Sequence, residues 1–190
     1  MSEYDAGTDT AAETETWQDS PEDSHVLEVH GSDGSTTVYY DDNHDGVADS
    51  ALYDADSDGV IDRADLDTDA DGRLDTSLVD ADDDGVVDVS LTDSNADGEF
   101  DVASFDTNQD GVVDLVASDT NYDGHVDHVI ADTNYDGRAD ALAVDEDHDG
   151  VTDSVTTDRN YDGTPDSVRY VDPSANPYVA DPSTNPYTSH

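Results

Sequence analysis

Asp106-Thr107-Asn108-Gln109-Asp110-Gly111-Val112-Val113-Asp114-Leu115 carries the pattern that decides how this chain folds. Four side-chain oxygen donors, on Asp106, Asn108, Asp110 and Asp114, surround a glycine at Gly111. The same string, D-x-[DN]-x-D-G-x-x-D, begins at Asp41, Asp54, Asp67, Asp80, Asp93, Asp106, Asp119, Asp132, Asp145 and Asp158. Each start lies 13 residues after the last with no insertion, so the array runs from Asp41 to Tyr170. A fixed period of this kind marks a repeat architecture.

With each repeat numbered 1 to 13, those aspartates are position 1. Position 3 is Asn43, Asp56, Asp69, Asp82, Asn95, Asn108, Asn121, Asn134, Asp147 and Asn160. Position 5 is Asp45, Asp58, Asp71, Asp84, Asp97, Asp110, Asp123, Asp136, Asp149 and Asp162. Position 6 is always Gly. Position 9 is Asp49, Asp62, Asp75, Asp88, Asp101, Asp114, Asp127, Asp140, Asp153 and Asp166. Of the 44 Asp in the chain, 34 stand at positions 1, 3, 5 or 9. A solvated acidic surface, or a salt-adapted one, has no reason to keep that register.

This spacing predicts a calcium site. Ca²⁺ takes six to eight oxygen ligands at about 2.3–2.6 Å. Side chains at 1, 3 and 5 of a tight loop converge on one point, and Gly at 6 permits the positive φ of a sharp turn. The backbone carbonyl of position 7 then points inward. It needs no particular side chain, which fits Val47, Val60, Arg73, Val86, Glu99, Val112, His125, Arg138, Val151 and Thr164 at that position. Asp at 9 closes the shell, directly or through water. Without a cation, two carboxylates about 4 Å apart repel by roughly 4 kcal/mol at an effective dielectric near 20. Ion binding and folding are therefore expected to be coupled, with about ten Ca²⁺ bound, one for each loop.

Composition bounds the rest. The chain has 190 residues and a formal net charge of −46, with 51 acidic residues against five arginines and no lysine. Such a surface repels nucleic acid and anionic membranes. There is no Cys, which removes disulfides and thiolate metal sites. No apolar run approaches the roughly 18 residues of a membrane span. The start Met1-Ser2-Glu3-Tyr4-Asp5 lacks the basic and apolar regions of a classical signal peptide. High charge with 33% apolar residues would by itself suggest disorder; the strict register argues otherwise.

An EF-hand carries a bidentate Glu at position 12. Here position 12 reads Leu52, Asp65, Leu78, Leu91, Ser104, Ala117, Ile130, Ala143, Thr156 and Arg169. The short segments between loops also leave no room for flanking helices. The loop, with Asp at 9, resembles the calcium hairpin of FG-GAP repeats in integrin-type propellers. Its tandem density resembles thrombospondin type 3 repeats, and dockerins share the loop start. The resemblance covers Asp41 to Tyr170 and implies calcium held at positions 1, 3, 5, 7 and 9, in proteins often secreted or at the cell surface. The departures are the short period, the missing cysteines and the missing helices, so the families supply no overall fold.

Between loops, Val112-Val113-Asp114-Leu115-Val116-Ala117 and Val126-Asp127-His128-Val129-Ile130-Ala131 are rich in β-branched residues. Positions 11 and 13 share a strand face and are mostly apolar. The expected fold is mainly β, with one short strand per repeat, arranged as a β-roll or solenoid whose strands alternate between two sheets. An antiparallel meander and a metal-threaded rod are the alternatives. Calcium would lie in rows along both edges of the roll. Residues 25–40 read as a capping hairpin, with a Gly31-Ser32-Asp33-Gly34 turn. Residues 1–24 read as a disordered acidic segment. Residues 171–190 read as an extended tail, with Asp-Pro-Ser-x-Asn-Pro-Tyr repeated from Asp172 and Asp181.

Acid pairs can serve glycosidases or proteases, but a group repeated ten times is not a unique active site, so no enzyme is expected. His44, His148, His125 and His128 read as surface residues, with no converging set for zinc. Tyr122, Tyr135 and Tyr161, all at position 4, are expected to stack as a ladder along one edge. The functions in view are a calcium-stiffened structural, surface or interaction scaffold, a soluble calcium buffer, and a calcium-triggered switch. Partners would be calcium and another protein or cell-surface component. Weak sites would place the chain outside the cell; the absence of a signal peptide leaves the cytoplasm open.

Overall fold

The computed structural model describes residues 25–171. The readings of residues 1–24 and of the tail beyond Val171 fall outside them. Strands β1 (Val26–His30) and β2 (Thr36–Tyr40) form the hairpin expected at the start. One strand per repeat follows: β3 (Ser50–Asp54), β4 (Arg63–Leu66), β5 (Thr76–Val79), β6 (Val89–Thr92) and β7 (Val102–Phe105). The series ends with β8 (Leu115–Ser118), β9 (His128–Ala131), β10 (Ala141–Val144), β11 (Ser154–Thr157) and β12 (Ser167–Tyr170). Among the described residues there is no helix, and so none long and apolar enough to cross a membrane.

The mainly β reading, with one short strand per repeat, holds. Of the three arrangements, the meander is the one that forms: all 12 strands lie in one antiparallel sheet in sequence order. The reason is in the loops. In every repeat the N–H of position 9 donates to the carbonyl just before position 1, as Asp49 does to Tyr40 (2.7 Å) and Asp114 to Phe105 (2.8 Å). That bond brings the two ends of the acidic loop together, so each strand returns beside its predecessor. A two-sheet roll would need the loop to carry the chain away from it.

Strand pairing sets where the apolar residues go. Position 10 pairs with 13 and 11 with 12, as in Val102↔Ser118 and Ala103↔Ala117. Directly opposed residues share a face. Positions 11 and 13 of one repeat therefore share a face with 12 and 10 of the next, and the apolar pair switches faces at each step. Positions 10 and 12 are apolar in many repeats too, however, so one face runs apolar from Val79, Val89 and Leu91 through Phe105, Leu115 and Val129 to Val155; it stays half-buried, because no second layer covers it among the described residues. Ala51 is the one buried hydrophobic residue among those described. What is buried instead is aspartate, 14 of them, from positions 1 and 9 with the exception of Asp65. Asp65 accepts from Arg63 Nε at 2.7 Å, and that guanidinium lies 5.4 Å from the Tyr53 ring centre on the neighbouring strand.

Successive loops emerge on opposite edges of a meander. Loops two repeats apart are thus neighbours, and each edge carries five. The neighbours touch regularly: the N–H of position 1 donates to the carbonyl of position 9 two repeats earlier, as Asp67 does to Asp49 (2.8 Å) and Asp132 to Asp114 (2.7 Å). The turn after β1 joins one row, where Ser57 Oγ donates to the Gly34 carbonyl.

Candidate metal centre

The repeat at Asp106 shows how each loop is built. Asp106 Oδ1 accepts the N–H of Gln109 (2.7 Å) and Asp110 (3.3 Å), while Oδ2 accepts that of Gly111 (2.7 Å). Asn108 Oδ1 accepts the Asp110 N–H (2.9 Å), and Asp110 Oδ1 accepts the Val112 N–H (2.9 Å). Asp114 Oδ2 reaches back to the N–H and hydroxyl of Thr107, both at 2.8 Å. Positions 1, 3, 5 and 9 thus each turn an oxygen toward the loop's own backbone. Aspartate and asparagine are suited to this because their short side chains bond backbone groups a few residues on.

These contacts recur. The Gly at 6 donates to Oδ2 of position 1 in all ten repeats. The N–H of position 2 donates to position 9 in all ten. Position 7 donates its N–H to position 5 throughout. That last contact was not foreseen, since only the carbonyl of position 7 was expected to matter.

The backbone needs explain two positions. Gly at 6 has a positive φ in every repeat, 86° at Gly111, as expected. Position 4 also has a positive φ in every repeat, 59–66°, although none is glycine. Histidine, serine, alanine, aspartate, glutamine and tyrosine all occupy it. The composition of position 4 carried little signal of this, because only Asp83, His44 and His148 there are residues that favour the left-handed region.

Carboxylate oxygens converge in four repeats. Those of Asp54, Asp56 and Asp58, and of Asp67, Asp69 and Asp71, lie within 4.8 Å of one another. So do those of Asp80, Asp82 and Asp88, and of Asp145, Asp147 and Asp153. The first two sets are positions 1, 3 and 5; the others are 1, 3 and 9. All four have Asp at position 3. The remaining repeats have Asn there, except that Asn makes its own bridge, as from Asn108 Nδ2 to Asp110 Oδ2 (3.1 Å). Two oxygens bound to one ion at about 2.3–2.6 Å can be no more than about 5 Å apart, so these groups fit a calcium-sized ion.

Electrostatics differ between positions. Burial would raise Asp132, yet the N–H groups of Gly137, Tyr135, Asp136 and Asn134 hold it below the usual carboxylate range. Asp147 is pushed up, first by burial and then by the charges of Asp149 and Asp153. Asp83 is pushed up by burial and by Asp58, Asp56 and Asp62 of the next loop on its edge. Asp132 is thus stabilised as an anion by the backbone, while Asp147 and Asp83 are crowded by other carboxylates.

His44, His125 and His148 are exposed, as read from the sequence, but His44 and His148 make contacts the sequence did not show, and the tyrosines fall differently from the reading. His148 reaches across to the neighbouring loop, its Nδ1 2.7 Å from Oδ1 of buried Asp127. His44 stacks on His25 with ring centres 3.3 Å apart. The expected tyrosine ladder does not form: Tyr122 lies on one edge and Tyr135 and Tyr161 on the other. Each is about half exposed. The 13-residue period puts successive repeats on opposite edges, so a shared repeat position does not mean a shared edge.

Comparison with known proteins finds no matching family model, no matching curated protein and no matching solved structure.

Proposed function

We propose that the chain is a calcium-binding repeat protein whose folding depends on Ca²⁺, and that it acts as a structural, surface or interaction scaffold. The observation that carries this reading is the convergence of three carboxylates in single loops. Hard, all-oxygen donors suit Ca²⁺ over softer transition metals. The ligands would be positions 1, 3 and 5, the carbonyl of 7, and position 9 directly or through water, as in the loop families the sequence resembles. The reading also accounts for the interior. A sheet whose buried residues are aspartates and two serines, with a single buried alanine, gains little from fully buried apolar side chains. Cations bridging neighbouring carboxylates would supply what such an interior lacks.

A scaffold suits ten like sites spread along two edges, since nothing distinguishes one loop as a reaction centre. A buffer or a calcium-triggered switch would use the same loops, and affinity separates them. Dissociation constants near 10⁻⁴–10⁻³ M fit a secreted or surface module, while micromolar or tighter sites fit a cytosolic buffer or switch. Isothermal titration with Ca²⁺, paired with metal analysis of the dialysed protein, tests the reading. About ten ions are expected, one per repeat of the sequence. Folded protein that retains no ion in millimolar calcium would overturn it.

A further inference from the structure

The meander ends in two strands whose outer sides pair with nothing among the described residues. The bonds of Asp41 N–H to the His25 carbonyl and of Gly31 N–H to the Ser35 carbonyl show that His25 and Gly31 face β2. Backbone direction alternates along a strand, so Val26, Glu28 and His30 turn their N–H and C=O groups outward. At the other end Val171 N–H donates to the Asp153 carbonyl (2.7 Å), so Val171 faces β11. Val168 and Tyr170 therefore face outward. By the pattern of every earlier repeat, so does the carbonyl of Asp166.

We infer that a second copy of this chain adds its β1 to β12, continuing the sheet head to tail. Three observations select this partner. First, 12 alternating strands leave β1 and β12 antiparallel, so a copy shifted along the sheet meets β12 in the correct direction without being turned over. Second, the open groups match in register. Tyr170 falls opposite Val26, Val168 opposite Glu28 and Asp166 opposite His30, which is the offset that places Val171 opposite Asp153. The His30 N–H would then meet the Asp166 carbonyl, repeating the bond from position 1 to position 9 found at each internal step. Third, the joint lacks the carboxylate pair of the internal steps. Internal steps set an aspartate at 1 beside an aspartate at 9, whereas the joint sets the His30 imidazole beside Asp166. Asp166 is also the one position-9 aspartate that is exposed, since no following loop covers it.

Unpaired strand edges are ready templates for another strand, and charge is one device that blunts them. A net charge of −46 does so here at low ionic strength, and screening relieves it. The contact is heterologous, so it generates open chains of copies rather than closed dimers. The inference rests on strand edges and not on the calcium reading.

Sedimentation of the full chain in calcium and high salt, across a range of concentrations, tests it. Wild-type mass should rise past twice 20.3 kDa with concentration. Glu28→Pro and Val168→Pro each remove one outward N–H and leave the inward bonds in place. Each variant alone should stay monomeric, while an equimolar mixture should form a dimer, because each retains the edge the other has lost. Unchanged circular dichroism will show that both fold. Three outcomes would overturn the inference: wild type that stays at the monomer mass, as when the chain's own termini cover the edges; wild type that stops at a dimer; or a mixture that stays monomeric. If either variant misfolds, Val168→Glu, opposite Glu28, and His30→Asp, opposite Asp166, serve in the same mixing test through like-charge repulsion at the joint.

Discussion

Replacing Asp110 by alanine separates ligand from scaffold. Asp110 is exposed and holds two contacts, the Val112 N–H (2.9 Å) and Asn108 Nδ2 (3.1 Å). Both donors can turn to water, so the change in hydrogen bonding should cost no more than about 1 kcal/mol. The loss as a ligand is larger and depends on calcium. One site contributes about 2.7 kcal/mol when calcium is 100 times its dissociation constant, and about 0.4 kcal/mol when calcium equals it. The stability gap between wild type and Asp110→Ala should therefore widen by about 2 kcal/mol across that range. At about 2–4 °C per kcal/mol for a domain of this size, that is roughly 4–8 °C in Tm. Thermal unfolding at several calcium levels reads the gap, and metal analysis should find one ion fewer. A gap that stays constant with calcium, together with an unchanged ion count, would refute the ligand role and leave Asp110 as a turn residue.

Chelation with EGTA should convert the β-type circular dichroism spectrum into that of a coil, reversibly on adding Ca²⁺; an unaltered spectrum would contradict coupled folding. Gly111→Ala should destabilise by about 1–2 kcal/mol, because φ is 86° and nothing lies within 4 Å of the added Cβ, so the cost is all in the backbone. Gln109→Gly, at a φ of 61°, should relieve left-handed strain, and chemical denaturation should show it no less stable than wild type despite the lost contact from Gln109 Nε2 to Asp82. His148 should titrate above the usual histidine range, held up by its bond to Asp127. That contribution to stability is fully present below the unfolded value near 6.5 and is lost as pH rises through the higher folded value. Asp127, bonded by Thr120 and His148, is held well below its usual range, so its contribution is present above about pH 4 and lost on strong acidification. NMR titration of His148, with Asp127→Asn as the control that should return it toward 6.5, checks the pair.

The sequence by itself determined what repeats, where each strand lies and which residues form the loops. An uninterrupted period of 13 residues with glycine at position 6 leaves little freedom: the loop must turn there, and the short β-branched segment after it can only be a strand. The start hairpin was legible for the same reason, from its Gly-Ser-Asp-Gly turn between β-rich runs. Tertiary structure alone decided how the strands associate. With apolar residues at positions 11 and 13, one sheet and two sheets are equally compatible with the pattern. The choice is made by a backbone bond that closes each loop, from the position 9 N–H to the carbonyl before position 1, and no side chain announces it. The left-handed residue at position 4 was hidden likewise, since residues as different as Ser57 and Tyr122 adopt it, each donating its N–H to the aspartate at position 1. Contacts along each edge, such as His148 with Asp127, join residues 21 apart and exist only once the meander has placed their loops side by side.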